Sequence, residues 1–215
     1  MNDQGFPAGR PTPELRRPAD LCRPMSRGTA LRELVGGGAA VVGAAAATGL
    51  AILPSATAAP SRTQDQKILN YLLVLEHLHD AFYRSVLAGN TLSGESRKYA
   101  LVVGRQERVH VQLLTKMLGA AAQPAPQFHF PASAKSGNGF AKTALELEEA
   151  AVGAYIATAP NLSEHAMAAV GSICAVEARH AAWIRSIADE LPAPAAADPA
   201  RTQQSVLATV RRFAK

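Results

Sequence analysis

The sequence predicts an all-α fold: a four-helix bundle with a long crossover between its second and third helices, a short C-terminal helix and an N-terminal signal segment. Three observations carry this. Apolar residues recur at steps of three and four through four segments of helix length; no segment alternates convincingly as a strand; Gly and Pro clusters separate the segments. Of 215 residues 48% are hydrophobic but only 5% aromatic, so the core is built from Ala, Leu, Val and Ile. Fourteen prolines and sixteen glycines are too many for one unbroken helical array. The composition excludes a disordered chain, a disulfide-stapled miniprotein and a polytopic membrane protein.

Residues 1–58 differ from the rest. Met1 to Arg32 is rich in Pro and Arg without a helical period, and Leu34 to Leu53 is an uncharged run of Gly, Ala, Val, Leu and Ile. Pro54 and the small residues Ser55 to Ala59 follow, with an Ala-x-Ala site at Ala56, Thr57 and Ala58. A basic, an apolar and a small-residue region in that order make a cleavable export signal. A retained membrane anchor is the alternative, since about 20 apolar residues span a bilayer, but the glycines make this run weakly hydrophobic. Ser26 to Arg32 resembles the twin-arginine export box, with Gly28 where the second Arg belongs, so the route stays open between twin-arginine and general secretory export. Met25 just upstream is a candidate start. The expected location is periplasmic or extracellular, with no stable membrane anchor after cleavage.

The division also changes the charge. The whole chain carries +5, whereas residues 59–215, the expected bundle domain, hold 16 basic and 13 acidic groups, or +3. Those basic residues are scattered, and only Arg211, Arg212 and Lys215 cluster. With no basic stripe or aromatic platform, no nucleic-acid partner is expected. Cys22 leaves with the signal, and Cys174 alone on an apolar helix reads as a buried small hydrophobe.

Ser61-x-x-Gln64 is a capping box for a helix to about Leu87, on which Ile68, Leu72, Leu75, His79, Phe82 and Val86 share one face. Gly89, Asn90, Ser93 and Gly94 break it, and a second helix runs to Leu118 with Gly119 as its stop. Residues 120–138, with Pro124, Pro126, Pro131 and Gly137, suit a connection from one end of the bundle to the other. A third helix spans about Asn138 to Thr158, and Ser163 caps a fourth that ends before Pro192. Asp198-Pro199 reads as cap and first turn of a terminal helix to about Phe213.

The two halves repeat one pattern. Glu76 precedes Tyr83 by seven residues, and Glu148 precedes Tyr155 by seven. Glu107-x-x-His110 follows Glu76 by 31 residues, and Glu177-x-x-His180 follows Glu148 by 29. Val103 and Leu114 flank the first Glu-x-x-His as Ile173 and Ile184 flank the second, turning both inward. Glu76 lies beside the Leu75 and His79 seam, and Glu148 between Leu145 and Val152. Four inward carboxylates without partners would each lose several kcal/mol of hydration. Two divalent ions balance four negative charges, and neutral imidazoles complete the shells. Oxygen and imidazole donors suit iron or manganese better than zinc held by thiolates. One Glu from each of two helices and Glu-x-x-His from each of the other two is a known di-metal bundle arrangement.

These residues, Glu76 to Tyr83, Glu107-x-x-His110, Glu148 to Tyr155 and Glu177-x-x-His180, resemble the ferritin-like superfamily across about residues 63–190. More closely, the chain is similar to an exported bacterial branch related to plant desiccation-related proteins. The resemblance implies metal ligands at Glu76, Glu107, His110, Glu148, Glu177 and His180. It implies two iron ions, or manganese, and O2 or peroxide as partners. Relatives in that branch often carry an acid where this chain has His79. That histidine reads as an extra ligand or as a group orienting Glu76, and the repeat symmetry favours the second.

Other residues have plainer readings. Tyr83 and Tyr155 are carboxylate donors, radical relays or ordinary core phenols. Glu146 and Glu149 are expected to be exposed, and His77, His129 and His165 to lie on the surface. Trp183, three residues after His180, is expected to pack in the bundle rather than carry electrons. Two functions remain open: a di-iron or di-manganese oxidoreductase acting on Fe(II), O2 or peroxide, with Glu76, Glu107, Glu148, Glu177, Tyr83 and Tyr155 as its reactive groups; or a non-enzymatic exported stress protein with a structural or vestigial metal site. A storage cage is less expected for an exported chain, and a homodimer through a helix face is open.

Overall fold

Where each helix begins and ends follows from which side chains can take its unpaired amides. The computed structural model describes residues 60–215. The expected signal, its boundary at residue 58, Cys22 and Met25 lie outside the described residues. Helix α1 runs Arg62–Ala88, α2 Gly94–Leu118, α3 Gly137–Thr158, α4 Glu164–Ile187 and α5 Gln203–Arg211. Ser61 Oγ accepts the Gln64 amide at 3.2 Å, as a Ser N-cap should. Ser163 caps α4 by accepting from Ala166, and its own N–H and hydroxyl donate to Asp65 in the first turn of α1 at 2.8 and 2.5 Å. One aspartate thus ties the start of α4 to the start of α1. No strand occurs among the described residues; Phe128 and Ala214 form a single antiparallel bridge.

The apolar stripes face one core. Ile68, Leu72, Leu75, Phe82 and Val86 of α1 meet Tyr99, Val103 and Leu114 of α2, Leu147 of α3 and Ile173 and Ile184 of α4. Helix α1 packs chiefly on α2, and α3 on α4. Contacts between the pairs fix their sense. Tyr83 meets Glu148 while Tyr155 meets Glu76, so α1 and α3 run antiparallel. The chain must therefore return along the bundle between α2 and α3, which is what residues 119–136 do. Asn70 on α1 holds the start of this crossover, donating to the Ala121 carbonyl at 2.9 Å and accepting the Gln123 amide at 2.8 Å. The C-terminus holds its middle: His129 donates to Phe213 and Lys215 to Gln127.

The C-terminal helix starts later than expected. Thr202, not Asp198, is its N-cap, accepting from Ser205 at 3.2 Å. Residues before it cross α3 as a strap, with the Arg201 amide donating to the Gly153 carbonyl at 3.0 Å. A Cβ at Gly153 would lie 2.4 Å from Arg201 Cγ, so only glycine admits this crossing. The guanidinium of Arg201 then pairs with Glu149 at 2.7 Å, and buried Arg185 pairs with the same carboxylate at 2.8 Å. Glu146 pairs with Arg212. Glu146 and Glu149 are therefore half-buried and paired, where exposure was expected, because the strap and α5 cover that face of α3. His77 and Cys174 are also half-buried, while His129 and His165 are exposed.

Candidate metal centre

Helical spacing places the polar groups in register. On α1 Glu76 and His79 lie one turn apart, on α2 Glu107 and His110, and on α4 Glu177 and His180; Glu148 comes from α3. All seven are buried, and none of the four glutamates has any exposed surface. Their donor atoms form two overlapping quartets, each with all atoms within 4.8 Å of one another. Glu76, Glu107, His110 and Glu177 make the first, and His79, Glu107, Glu148 and Glu177 the second. Glu107 and Glu177 belong to both. His180 stands beside the second quartet, with Nδ1 at 3.0 Å from Glu107 and 3.4 Å from Glu148.

His79 faces Glu107 and Glu177, at 3.8 and 4.0 Å, rather than orienting Glu76. Glu76 is held from the other side by the Tyr155 hydroxyl, and Glu148 likewise by Tyr83. The structure thus gives both tyrosines the carboxylate-donor role. Gly104 makes room for this: a Cβ there would lie 2.8 Å from Tyr83 Cβ, so α2 can approach the Tyr83 backbone closely.

The hydrogen-bond ledger does not close within the protein. Glu76 Oε2, Glu107 Oε1, Glu148 Oε2, both oxygens of Glu177, and Nδ1 of His79 and His180 are buried without a hydrogen-bond partner. Some are close yet misaligned: His180 Nδ1 and Glu107 Oε1 approach to 3.0 Å off the bonding angle. Buried polar atoms are normally satisfied, and seven orphans converging on one point are what ligand atoms around cations look like. The donor set, carboxylate oxygen and imidazole nitrogen without thiolate, fits iron or manganese.

Electrostatics describe the same strain. Burial, and next the charge of Glu177, push Glu76 up to about 8. Burial and the Glu107 charge push Glu148 up to about 7. Burial would also raise Glu107, but the imidazoles of His110, His180 and His79 outweigh it and hold this carboxyl well below its ordinary range. For the histidines burial works downward and the carboxylates win, taking His79 up to about 10 and His110 up to about 12. Without cations, the cluster holds protons in their place.

Two supporting residues escaped the sequence reading. Gln106 Oε1 lies 2.6 Å from His180 Nε2, so an N–H there leaves Nδ1 facing the cluster. No sequence signal marks it, since the bond depends on how α2 crosses α4. Tyr99 is buried, with its hydroxyl 3.3 Å from that of Tyr83 and 3.3 Å from the His180 carbonyl. It was legible in principle, because Tyr99, Val103, Glu107 and His110 share one helix face.

Residues 64–190, more than half of the chain, match the family model described as a ferritin-like domain. No curated protein matches the chain.

Proposed function

The chain belongs to the ferritin-like domain family, and from that premise we propose that its buried cluster holds two iron or manganese ions and oxidises Fe(II) or reduces O2 or peroxide. The observation that carries this is the set of unpartnered carboxylate and imidazole atoms converging from four helices. Glu76, Glu107, His110 and Glu177 would hold one ion. Glu107, Glu148 and Glu177, with His180 or His79, would hold the other. A bound pair of such ions exchanges electrons with Fe(II), O2 or peroxide. The protein's own groups set the conditions. Tyr83 and Tyr155 each donate to one oxygen of Glu148 and Glu76, fixing those carboxylates and leaving the second oxygen free. The apolar walls keep bulk water from the cluster, so charge there interacts strongly.

Metal analysis after anaerobic loading of the full chain tests the proposal. Two iron or manganese ions per chain are expected, with metal-dependent peroxide or oxygen consumption lost in Glu107→Ala and His180→Ala. A protein retaining neither metal in stoichiometric amount sinks it.

Complete burial of the four glutamates supports a second reading, in which the ions are structural in an exported stress protein of the desiccation-related kind. Repeated turnover of peroxide or Fe(II) at each site discards that reading. Export rests on the residue pattern of 1–58 alone; N-terminal sequencing of protein from its native compartment tests it, and an uncleaved N-terminus overturns signal removal.

A further inference from the structure

Beside α1 the crossover leaves an open space. By the repeat, Ala81 corresponds to Gly153, each two residues before its tyrosine. The strap lies on α3 at Gly153, whereas at Ala81 the face of α1 opens into a cavity of about 370 Å3. That volume is within the range of small-molecule sites. Arg84 and Ser85 line it from α1, where the second half of the repeat has Ile156 and Ala157. Phe128, His129 and Phe130 of the crossover, with Lys135, complete the lining.

The walls are held by the protein itself. Phe130 is buried, with its ring 5.3 Å from that of Phe82 and 5.2 Å from that of Phe213. The His129 amide donates to the Phe213 carbonyl at 2.7 Å, and the Lys135 carbonyl accepts the Thr91 hydroxyl at 2.8 Å. The polar side chains, in contrast, are unspent. No acid lines the cavity. Among the described residues neither the Lys135 ammonium nor the His129 ring has a hydrogen-bond or ion-pair partner. Arg84 gives its Nε to Asp80 at 3.0 Å and keeps its two terminal nitrogens without a protein partner. Asp80 also pairs with Arg108 at 3.5 Å, so one acid answers two arginines, and with Lys135 the neighbourhood keeps a surplus of two positive charges.

We infer that this cavity binds a soluble organic phosphate monoester, its phosphate held by Arg84, Lys135, His129 and Ser85 and its apolar body lying against Phe128. Such a phosphate carries about −1.5 to −2 charge at pH 7, which matches the surplus, whereas a carboxylate answers only half of it. A guanidinium fork, an ammonium, a ring N–H and a hydroxyl are all donors suited to phosphate oxygens. Inorganic phosphate would leave the half-buried Phe128 ring uncovered. The ligand is soluble rather than a lipid headgroup, because the exposed large apolar side chains among the described residues, Val109, Leu113, Met167 and Leu191, do not line the cavity and cannot enter a bilayer beside it. The site goes beyond the metal reading and is independent of it.

Calorimetric titration of the chelator-treated full chain, whose cluster then has no ion to take the phosphate, tests the site with phenyl phosphate and inorganic phosphate. Phenyl phosphate should bind at a single site, at least about tenfold more tightly than inorganic phosphate, through burial of its ring. Lys135→Gln and Arg84→Gln should each weaken it about 10–100-fold, as loss of a charge-assisted bond does. Lys67→Gln, about 25 Å from Arg84 along α1, should leave it unchanged. Arg84 is exposed and Lys135 half-buried, so both variants should melt with wild type. No binding of phenyl phosphate, or equal affinity in Lys135→Gln and wild type, overturns the site. Equal affinity for phenyl and inorganic phosphate overturns the apolar body. Vesicles containing phosphatidic acid offer the same phosphate on a lipid: co-sedimentation that Lys135→Gln abolishes, without binding of phenyl phosphate, overturns the soluble ligand.

Discussion

Tyr83 on α1 donates its hydroxyl to Glu148 on α3, the glutamate of the other half of the repeat. Tyr155 on α3 returns the arrangement to Glu76 on α1. Each tyrosine lies two turns beyond the glutamate of its own helix, and because the helices are antiparallel it arrives level with the glutamate of the other. Tyr83→Phe and Tyr155→Phe each strand a buried carboxylate oxygen. Each should lower the unfolding free energy of the metal-free protein by about 1–3 kcal/mol, read from denaturant melts. Melts that coincide with wild type would show that neither bond contributes.

The sharing of Glu107 and Glu177 between the quartets predicts a stoichiometric split. Glu76→Ala or His110→Ala should leave one ion per chain, whereas Glu107→Ala should leave none. Calorimetric titration with Mn(II) counts the sites. Equal losses from all three variants would contradict the two-quartet geometry.

His79 belongs to the second quartet and faces its shared carboxylates. His79→Gln should therefore weaken the second ion by about 10–100-fold, the range for groups that support metal ligands, and spare the first. An unaltered second binding step would remove His79 from the centre.

Protons and metal ions should compete. Glu76 and Glu148 are raised from an ordinary 4.5 to about 8 and about 7, and His79 and His110 from 6.5 to about 10 and about 12. Folded values above unfolded ones mean that the stabilisation is complete below the unfolded values and is lost as pH rises through the folded ones. Glu107 and Glu177, held low, titrate below this window. The metal-free protein should therefore lose thermal stability as pH rises from about 7 to about 10, through the folded values of Glu148, Glu76 and His79. Over the same interval metal affinity should rise, with protons released on loading into weak buffer. Affinity flat across that interval would falsify the competition.

The strap over α3 should separate fold from site. Gly153→Ala forces a methyl against Arg201 and should cost about 1–3 kcal/mol, as overpacking does. Hydrogen exchange should rise in residues 199–215 while two ions still bind. Lost metal stoichiometry would mean that the strap positions Glu148 after all.

How much was legible follows the range of each interaction. Relations inside a helix depend only on the turn of the helix, so Glu107 beside His110, Glu177 beside His180 and the inward faces of Val103 and Ile173 can be counted from the chain. Caps such as Ser61 and Ser163 are equally local, and the structure uses both. The sequence marks Asp198 as the cap of α5, whereas Thr202 is the one used, and the backbone bond from Arg201 to Gly153 on another helix keeps the residues between them out of the helix. Glu149 was expected at the surface for the same kind of reason: nothing local announces Arg185 and Arg201.

By itself, then, the sequence determines an all-α chain, its breaks and two inward Glu-x-x-His faces, each preceded by a further glutamate. Only the tertiary structure decides which glutamate each tyrosine serves, that His79 faces the shared carboxylates and that Gln106 holds His180. It alone lines up Tyr99 and Trp183 behind Tyr83. Those pairings depend on the axial offset and sense of helices far apart in the chain. The crossover and the packing of whole faces set that offset, and no spacing within one helix encodes it.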